Sequence, residues 1–316
     1  MVQPTEKPLA WQRILPAGAI CQVGFTDQEA LLPAGARSFL GYRLLHEYFA
    51  FPQRFLFFRL KGLRECIKRC ESNAIDLVIL FDREALELEG RVDAGNFVLH
   101  CTPVINLFPK RADRIHLSDK STDFHVVPNR TRPMDFEVYQ VLKVTGYGVR
   151  ADEKQAFAPF YSATDIDETN GGGAYFTVNR IPRMMSNREK LHGRRSGYGG
   201  SEVFLSIVDA AAAPYRSELR QLAVETLCTN RDLPIQMAVG RGKTDFNLDI
   251  SSPVESVRCL SGPTSPRPST AEGEVSWRMI NHLNLNYLSL VDSPDGKGSA
   301  AIRDLFRLYC DTRDLQ

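Results

Sequence analysis

LHCTPVINLF (99–108) and HVVPNRTRPMDFEVYQVLKV (125–144), joined by a charged spacer, are the stretch in which almost every residue constrains backbone or packing. The first segment is a short apolar run, Val104, Ile105, Leu107 and Phe108, carrying one amide, Asn106, which must be hydrogen-bonded wherever that run is buried. It stops at Pro109-Lys110-Arg111. The second segment is extended by necessity, because Pro128 and Pro133 each push the preceding residue out of the helical region. Residues 136–144 alternate as a strand does, with Phe136, Val138, Leu142 and Val144 on one face and Glu137, Tyr139, Val141 and Lys143 on the other. No nucleophile paired with a base and no metal cage is legible in it, so its content is architectural.

Working outward, 316 residues suffice for two domains, each with a core. A hydrophobic share of 43% with 24% charged residues is ordinary for a soluble globular protein and excludes wholesale disorder. The longest uncharged apolar runs fall short of the roughly 18–20 residues of a membrane span. The beginning, MVQPTEKPLAWQ, lacks the apolar core of a secretory signal. Seven scattered cysteines, an odd number in a chain that needs no staples, read as reduced thiols in a cytosolic protein. A net charge of +1 gives nucleic acid binding no help from the global field.

The pattern predicts an α+β fold, mixed, with a β-rich middle, short helices and a C-terminal helical pair. The expected divisions are 13–150 (α+β), 151–260 (β-rich with one helix), a Pro-rich linker at 261–274 and a helical segment at 275–312. Ser38 suits an N-cap for a helix carrying Phe39, Tyr42, Leu45 and Phe49, stopped by Pro52. Phe55-Leu56-Phe57-Phe58 reads as a strand buried on both faces, followed by a short helix over 63–70 and a second buried strand over 75–81, a possible small crossover unit. Strands are expected at 174–178 and 202–208, separated by the basic loop 180–195 with Arg180, Arg183, Arg188, Lys190, Arg194 and Arg195, which reads as exposed and mobile. A helix is predicted over 217–228, with Leu219, Leu222, Ala223 and Leu227 on one face. Beyond the prolines of 261–269, Trp277, Ile280, Leu283, Tyr287 and Leu288 fall at helical spacing, as do Ile302, Leu305, Phe306 and Tyr309.

Candidate chemistries are weak when read from the residues. Gly242-Lys243-Thr244 ends like a phosphate loop, yet Met237 stands where the motif begins with glycine and the residues after Thr244 alternate instead of opening a helix, so a hairpin turn is favoured. Cys66 and Cys70 share a helical face but lack a second ligand pair, which favours buried structural thiols. His100-Cys101 near Asn106 lacks the local context of a thiol protease. Asp165 to Gly171 resembles a calcium loop only loosely, with Asn170 at the glycine position and Phe176 at the glutamate position. The 180–195 loop has the charge to meet phosphates and Tyr198 nearby for stacking, though a solvated or protein-binding loop suits the neutral whole better. The Trp277 helix also carries Asn281, His282, Asn284 and Asn286, so it suits a core or a polar-rimmed subunit interface equally.

Several ordered segments together resemble the TssF family (also called VasA or ImpG), baseplate subunits of bacterial type VI secretion systems. They are EYFAFP (47–52) with FLFF (55–58), LHCTPVINLF (99–108), VPNRTRP (127–133) with EVY (137–139), LCTNRDLP (227–234), PTSPR (263–267), and Trp277 with NHLNLNYLSL (281–290). The resemblance spans about residues 24–309 and, since members extend beyond both ends of it, the chain resembles a central fragment. It implies a structural role: pairing with a second TssF copy and one TssG as a wedge that joins TssK and TssE around a spike hub and supports sheath assembly. It implies a bacterial cytoplasmic, membrane-proximal location, no catalytic residues and no cofactor or metal. The candidate contact residues are Trp277, Asn281, Tyr287, Arg183, Arg188 and Arg194. The alternative is a nucleotide- or nucleic-acid-binding protein using Gly242-Lys243-Thr244 or the 180–195 loop; a hydrolase is the weakest reading.

Overall fold

The computed structural model describes residues 1–5, 10–33, 40–118, 120–150, 152–160, 173–184, 191, 195–268, 273, 275, 277 and 303. The chain divides into two compact units, residues 1–105 with 303–316, and residues 106–302. The fold is mixed α+β and β-rich, as the sequence pattern predicts. Asn281, Tyr287 and the expected C-terminal helical pair lie outside the described residues apart from isolated positions.

In the first unit the elements run β1 (Val2–Pro4), β2 (Ile20–Gln22), α1 (Leu40–Ala50), β3 (Phe58–Leu60), α2 (Arg64–Arg69) and β4 (Ile75–Leu77). β1 pairs antiparallel with β4, and β2 with β3, giving two separate two-stranded ribbons. The β3, α2, β4 succession is therefore no crossover unit, because its strands belong to different sheets. α1 stops ahead of Pro52 as expected, but Pro52 then begins a 3-10 turn over Pro52–Leu56, since its fixed φ suits a first helical position. The predicted 55–58 strand shrinks to β3, and a two-stranded ribbon cannot cover both its faces: Leu56 is 77% exposed and Phe58 is exposed as well. The expected 75–81 strand likewise pairs only over Ile75–Leu77. The run at 101–107 is not a buried strand either. Val104 is 69% exposed and Asn106 is exposed, so the amide is free to bond solvent.

The second unit holds β5 (Phe108–Arg111), β6 (Ile115–His116), β7 (Asp123–His125), β8 (Glu137–Tyr147), β9 (Lys154–Pro159), β10 (Ala174–Pro182), β11 (Ser201–Asp209) and β12 (Gln221–Thr229). They form one sheet in the order β5-β12-β8-β9-β10-β11-β7, with β6 also on β12. Neighbours are antiparallel except β9 and β10. The sheet curls on itself: Ala112 N donates to Val224 O at 2.9 Å, and Asp113 N donates to Val127 O at 2.9 Å, so chain adjoining the β5 and β7 ends meets. Inside lies one core to which every strand but β5 contributes a buried side chain, among them Ile115, Phe124, Val144, Phe157, Leu205 and Leu222.

Two sequence expectations fail here for identifiable reasons. The predicted 217–228 helix is β12, whose Leu222, Val224, Thr226 and Cys228 are fully buried. The alternation 222, 224, 226, 228 matches a strand as well as 219, 222, 223, 227 matches a helix, and pairing on both edges decides it. In β8 the two-residue period breaks. Pairing with β12 runs Val144↔Val224, Lys143↔Glu225, Val141↔Thr226, Gln140↔Leu227, Val138↔Cys228, leaving Leu142 and Tyr139 as bulge residues. Val138, Val141 and Val144 therefore contact the core at a spacing of three, and Leu142 turns outward.

Candidate functional site

Family-like motifs far apart in sequence meet at one end of the curled sheet, where β8 and β11 begin and β12 ends. Glu137 Oε2 accepts the Tyr198 hydroxyl at 2.7 Å, while its Oε1 accepts Ser201 N at 2.8 Å and Ser201 Oγ at 2.6 Å. Just past β12, Asp232 accepts Arg195 Nε at 3.1 Å and Nη2, together with the Ser196 hydroxyl. Arg195 Nη1 also reaches Asp135 Oδ1 at 2.9 Å, and Asn230 Nδ2 donates to Asp135 O at 3.2 Å. Arg231 sits in the left-handed region at φ 55, which aims its guanidinium over the Tyr198 ring, 5.5 Å from the centroid, and onto Gly199 O at 2.8 Å. Gly200 suits that turn because its φ of 72 lies where L side chains rarely sit, and its missing Cβ leaves room for the Arg231 guanidinium, whose Nη atoms would stand 2.9 Å from it.

The electrostatics are those of a fastening. Burial pushes the Tyr198 phenol well above its ordinary range, and the hydrogen bond to the Glu137 carboxylate adds to this, so the ring stays a neutral donor. For Asp232, burial pushes upward, but hydrogen bonds from Arg195 and Ser196 outweigh it and hold the carboxyl below its usual range. Arg195 is raised chiefly by its hydrogen bond to Asp232. Apart from Arg231 Nε, which is buried without a hydrogen-bond partner, the groups satisfy one another, which pins the 195–201 turn to the ends of β8 and β12. A shallow pocket beside them is lined by His125, Pro128, Arg183, Glu202 and Arg231, with His125 stacked on Phe204 at 4.7 Å.

Asn129 and Arg130 of the VPNRTRP motif also act locally. Asn129 Oδ1 accepts Thr131 N and Oγ1 and Arg132 N, closing the turn, and Arg130 N bonds Asp113 Oδ2 at 2.8 Å. In the first unit the EYFAFP motif supplies a buried ionic cluster. Glu47 Oε2 lies 3.1 Å from both Arg43 Nη1 and Arg54 Nε, and its Oε1 accepts Leu31 N at 2.8 Å and Leu32 N at 3.1 Å. Arg43 donates onward to Gly24 O, Phe25 O and Thr26 O. For Glu47, burial pushes upward, but the Leu32 and Leu31 amides and both guanidinium groups outweigh it and hold the carboxyl down. Sequence reasoning took the apolar stripe of α1 and missed this cluster; the i, i+4 pair Arg43 and Glu47 was its visible signal.

The named candidates fall out unevenly. Trp277 is 66% exposed. Arg183 is held 3.5 Å from Glu202, and Arg180, at the start of the basic loop, bonds Ser201 Oγ and Tyr139 O. Both described ends of that loop are therefore tied to the sheet; Arg188 and Arg194 lie outside the described residues, as does the 165–171 acidic turn. After Gly242-Lys243-Thr244 no helix opens. The chain instead makes a turn in which Asp245 accepts Gly240 N and Cys259 N, and the expected strand alternation is reduced to a single bridge, Phe246↔Val257. Cys66 is buried and Cys70 half-buried, and the six described cysteines are free. Among the described residues no group of three or more His, Cys, Asp or Glu could hold a metal ion, and no helix is long and apolar enough to cross a membrane.

Comparison with known proteins agrees with the ordered motifs. The family described as type VI secretion system, TssF, matches residues 1–316. The type VI secretion system component TssF1 of Pseudomonas aeruginosa is 50% identical over 305 residues, covering 96% of this chain and 49% of that protein. Among solved structures, a chain of the type VI secretion TssK-TssF-TssG baseplate subcomplex, seen by cryo-electron microscopy, has the same fold with a TM-score of 0.61 at 24% identity, over 93% of this chain and 51% of that one. The chain thus spans about half the length of the relatives it matches. On the family match and the 50% identity, the chain belongs to the TssF family of type VI secretion system proteins.

Proposed function

We propose that this chain is a scaffold subunit of a type VI secretion baseplate wedge, working by protein contact without catalysis. The observation that carries the reading is the family match over residues 1–316. The geometry supports it: most of the polar groups brought together by the family-like motifs are spent on each other, fastening turns to a sheet. In this reading the chain joins TssG, TssK, TssE and a second TssF copy in the bacterial cytoplasm, near the membrane, and supports sheath assembly around the spike hub. The solved relative was imaged with TssK and TssG, which makes those two the first partners to test.

The experiment is co-expression of the tagged chain with TssG and TssK of the source bacterium, followed by affinity purification and size-exclusion chromatography. A stable co-eluting complex is the expected result. Failure to retain either protein, in this chain and in its full-length counterpart, overturns the proposal. Saturable binding of a nucleotide would favour the Gly242-Lys243-Thr244 alternative instead.

A further inference from the structure

From residue 79 to 100 every side chain except that of Ala85 is exposed. Nine of these are large and apolar: Ile79, Leu80, Phe81, Leu86, Leu88, Val92, Phe97, Val98 and Leu99, with Leu80 at 72% and Leu99 at 73%. The backbone has a defined course nonetheless, set by local turns. Leu88 N bonds Ala85 O, Val92 N bonds Leu88 O, and Asp93 and Asn96 cap one another's backbone. Phe97 meets Phe58 edge to face at 6.2 Å. A strip whose shape comes from turns, while its apolar side chains face water, is an interaction surface by its energetics.

Charge selects the occupant. Interleaved with the apolar residues are Asp82, Glu84, Glu87, Glu89 and Asp93 against Arg83 and Arg91, so the strip is acidic in a chain whose overall charge is +1. These exposed carboxylates repel nucleic acid phosphates and anionic lipid headgroups alike. They complement a polypeptide that offers an apolar face bordered by lysine and arginine. We propose that residues 79–100 form the docking surface for such a face on a baseplate partner. This rests on the scaffold reading above and adds the surface and its chemistry.

The test measures binding of the full 316-residue chain to the purified TssK–TssG pair of the source bacterium by biolayer interferometry, at two salt concentrations. Three exposed changes together, Leu80→Ser, Phe81→Ser and Leu86→Ser, should weaken binding on the order of 100-fold by removing buried apolar anchors. Glu87→Lys with Glu89→Lys should slow association on the order of tenfold and flatten its salt dependence. Val149→Ser and Ile250→Ser, equally exposed positions in the second unit, should change nothing. Thermal melts should match the parent, since no altered side chain is buried. If the parent binds and all variants bind as tightly, the strip is overturned while the scaffold reading stands. If the parent does not bind, the same variants are measured in its full-length counterpart, and absence of binding there as well overturns both. If the strip variants abolish self-association measured by light scattering but leave TssK–TssG binding intact, the occupant is a second copy and the proposal is overturned.

Discussion

Replacing Glu47 by glutamine tests whether the first unit is held by an ionic cluster in place of an apolar core. The carboxylate is 2% exposed and lies 3.1 Å from each of two guanidinium groups that are equally buried. At an effective dielectric of about 20, each contact is worth roughly 5 kcal/mol of Coulomb energy, much of it offset by the cost of desolvating the charges. The new amide would retain the Leu31 and Leu32 N–H bonds through its carbonyl oxygen, but would leave Arg43 and Arg54 without a counterion. The expected loss is about 3–5 kcal/mol. Native-state hydrogen exchange reads it directly: amides of residues 24–32 and 43–56 should exchange between about two and four orders of magnitude faster, while the sheet amides of the second unit stay protected. Replacing the whole cluster, Arg43→Met with Glu47→Leu and Arg54→Leu, should cost less than the single change, because no charge is then stranded. A loss below about 1 kcal/mol for Glu47→Gln, or a triple variant worse than the single one, would refute the reasoning.

The remaining expected outcomes concern the second unit. Glu137→Ala removes the acceptor of Tyr198 and Ser201 and should cost about 2–4 kcal/mol in urea unfolding; the Tyr198 phenol, read by ultraviolet titration, should move down toward its ordinary range. Gly146→Ala places a Cβ 2.8 Å from Leu219 Cδ1 and 3.1 Å from Phe157 Cε2, and should cost about 1–3 kcal/mol by overpacking, read as a lower thermal midpoint. Asp209, whose carboxyl is held down first by its hydrogen bond from Gln155, and Asp232, held down by Arg195 and Ser196 against the upward push of burial, both titrate lower when folded. Their stabilisation is present above the unfolded carboxylate range, near 3.8, and is lost as pH falls through the lower folded values. Urea midpoints should therefore drop between about pH 5 and 2, and Asp209→Asn should flatten that dependence.

Local grammar carried most of what was legible. Strands at 174–182 and 201–209 show β-branched and aromatic residues in close succession, and the end of α1 is written in Pro52. β12 was misread as a helix because a nine-residue segment bearing Leu222, Ala223 and Leu227 satisfies both periods; only its partners on both edges resolve it. The polar fastening was invisible for a different reason. Glu137, Tyr198 and Asp232 lie 61 and 34 residues apart along the chain, and no spacing rule connects groups that meet by sheet closure. The acidic apolar strip at 79–100 was read in part as a buried strand, because apolar composition alone does not say whether a face is covered.

The amino-acid order by itself determined the family, through several motifs in sequence, and the β-rich α+β class, because side-chain periodicity and proline geometry act over a few residues. Tertiary structure alone decided which strands pair, where two bulges in β8 turn its inward period from two to three, and which charges are buried. Those outcomes depend on contacts between distant segments, whose free energy exists only once the sheet has closed and water has left the space between them.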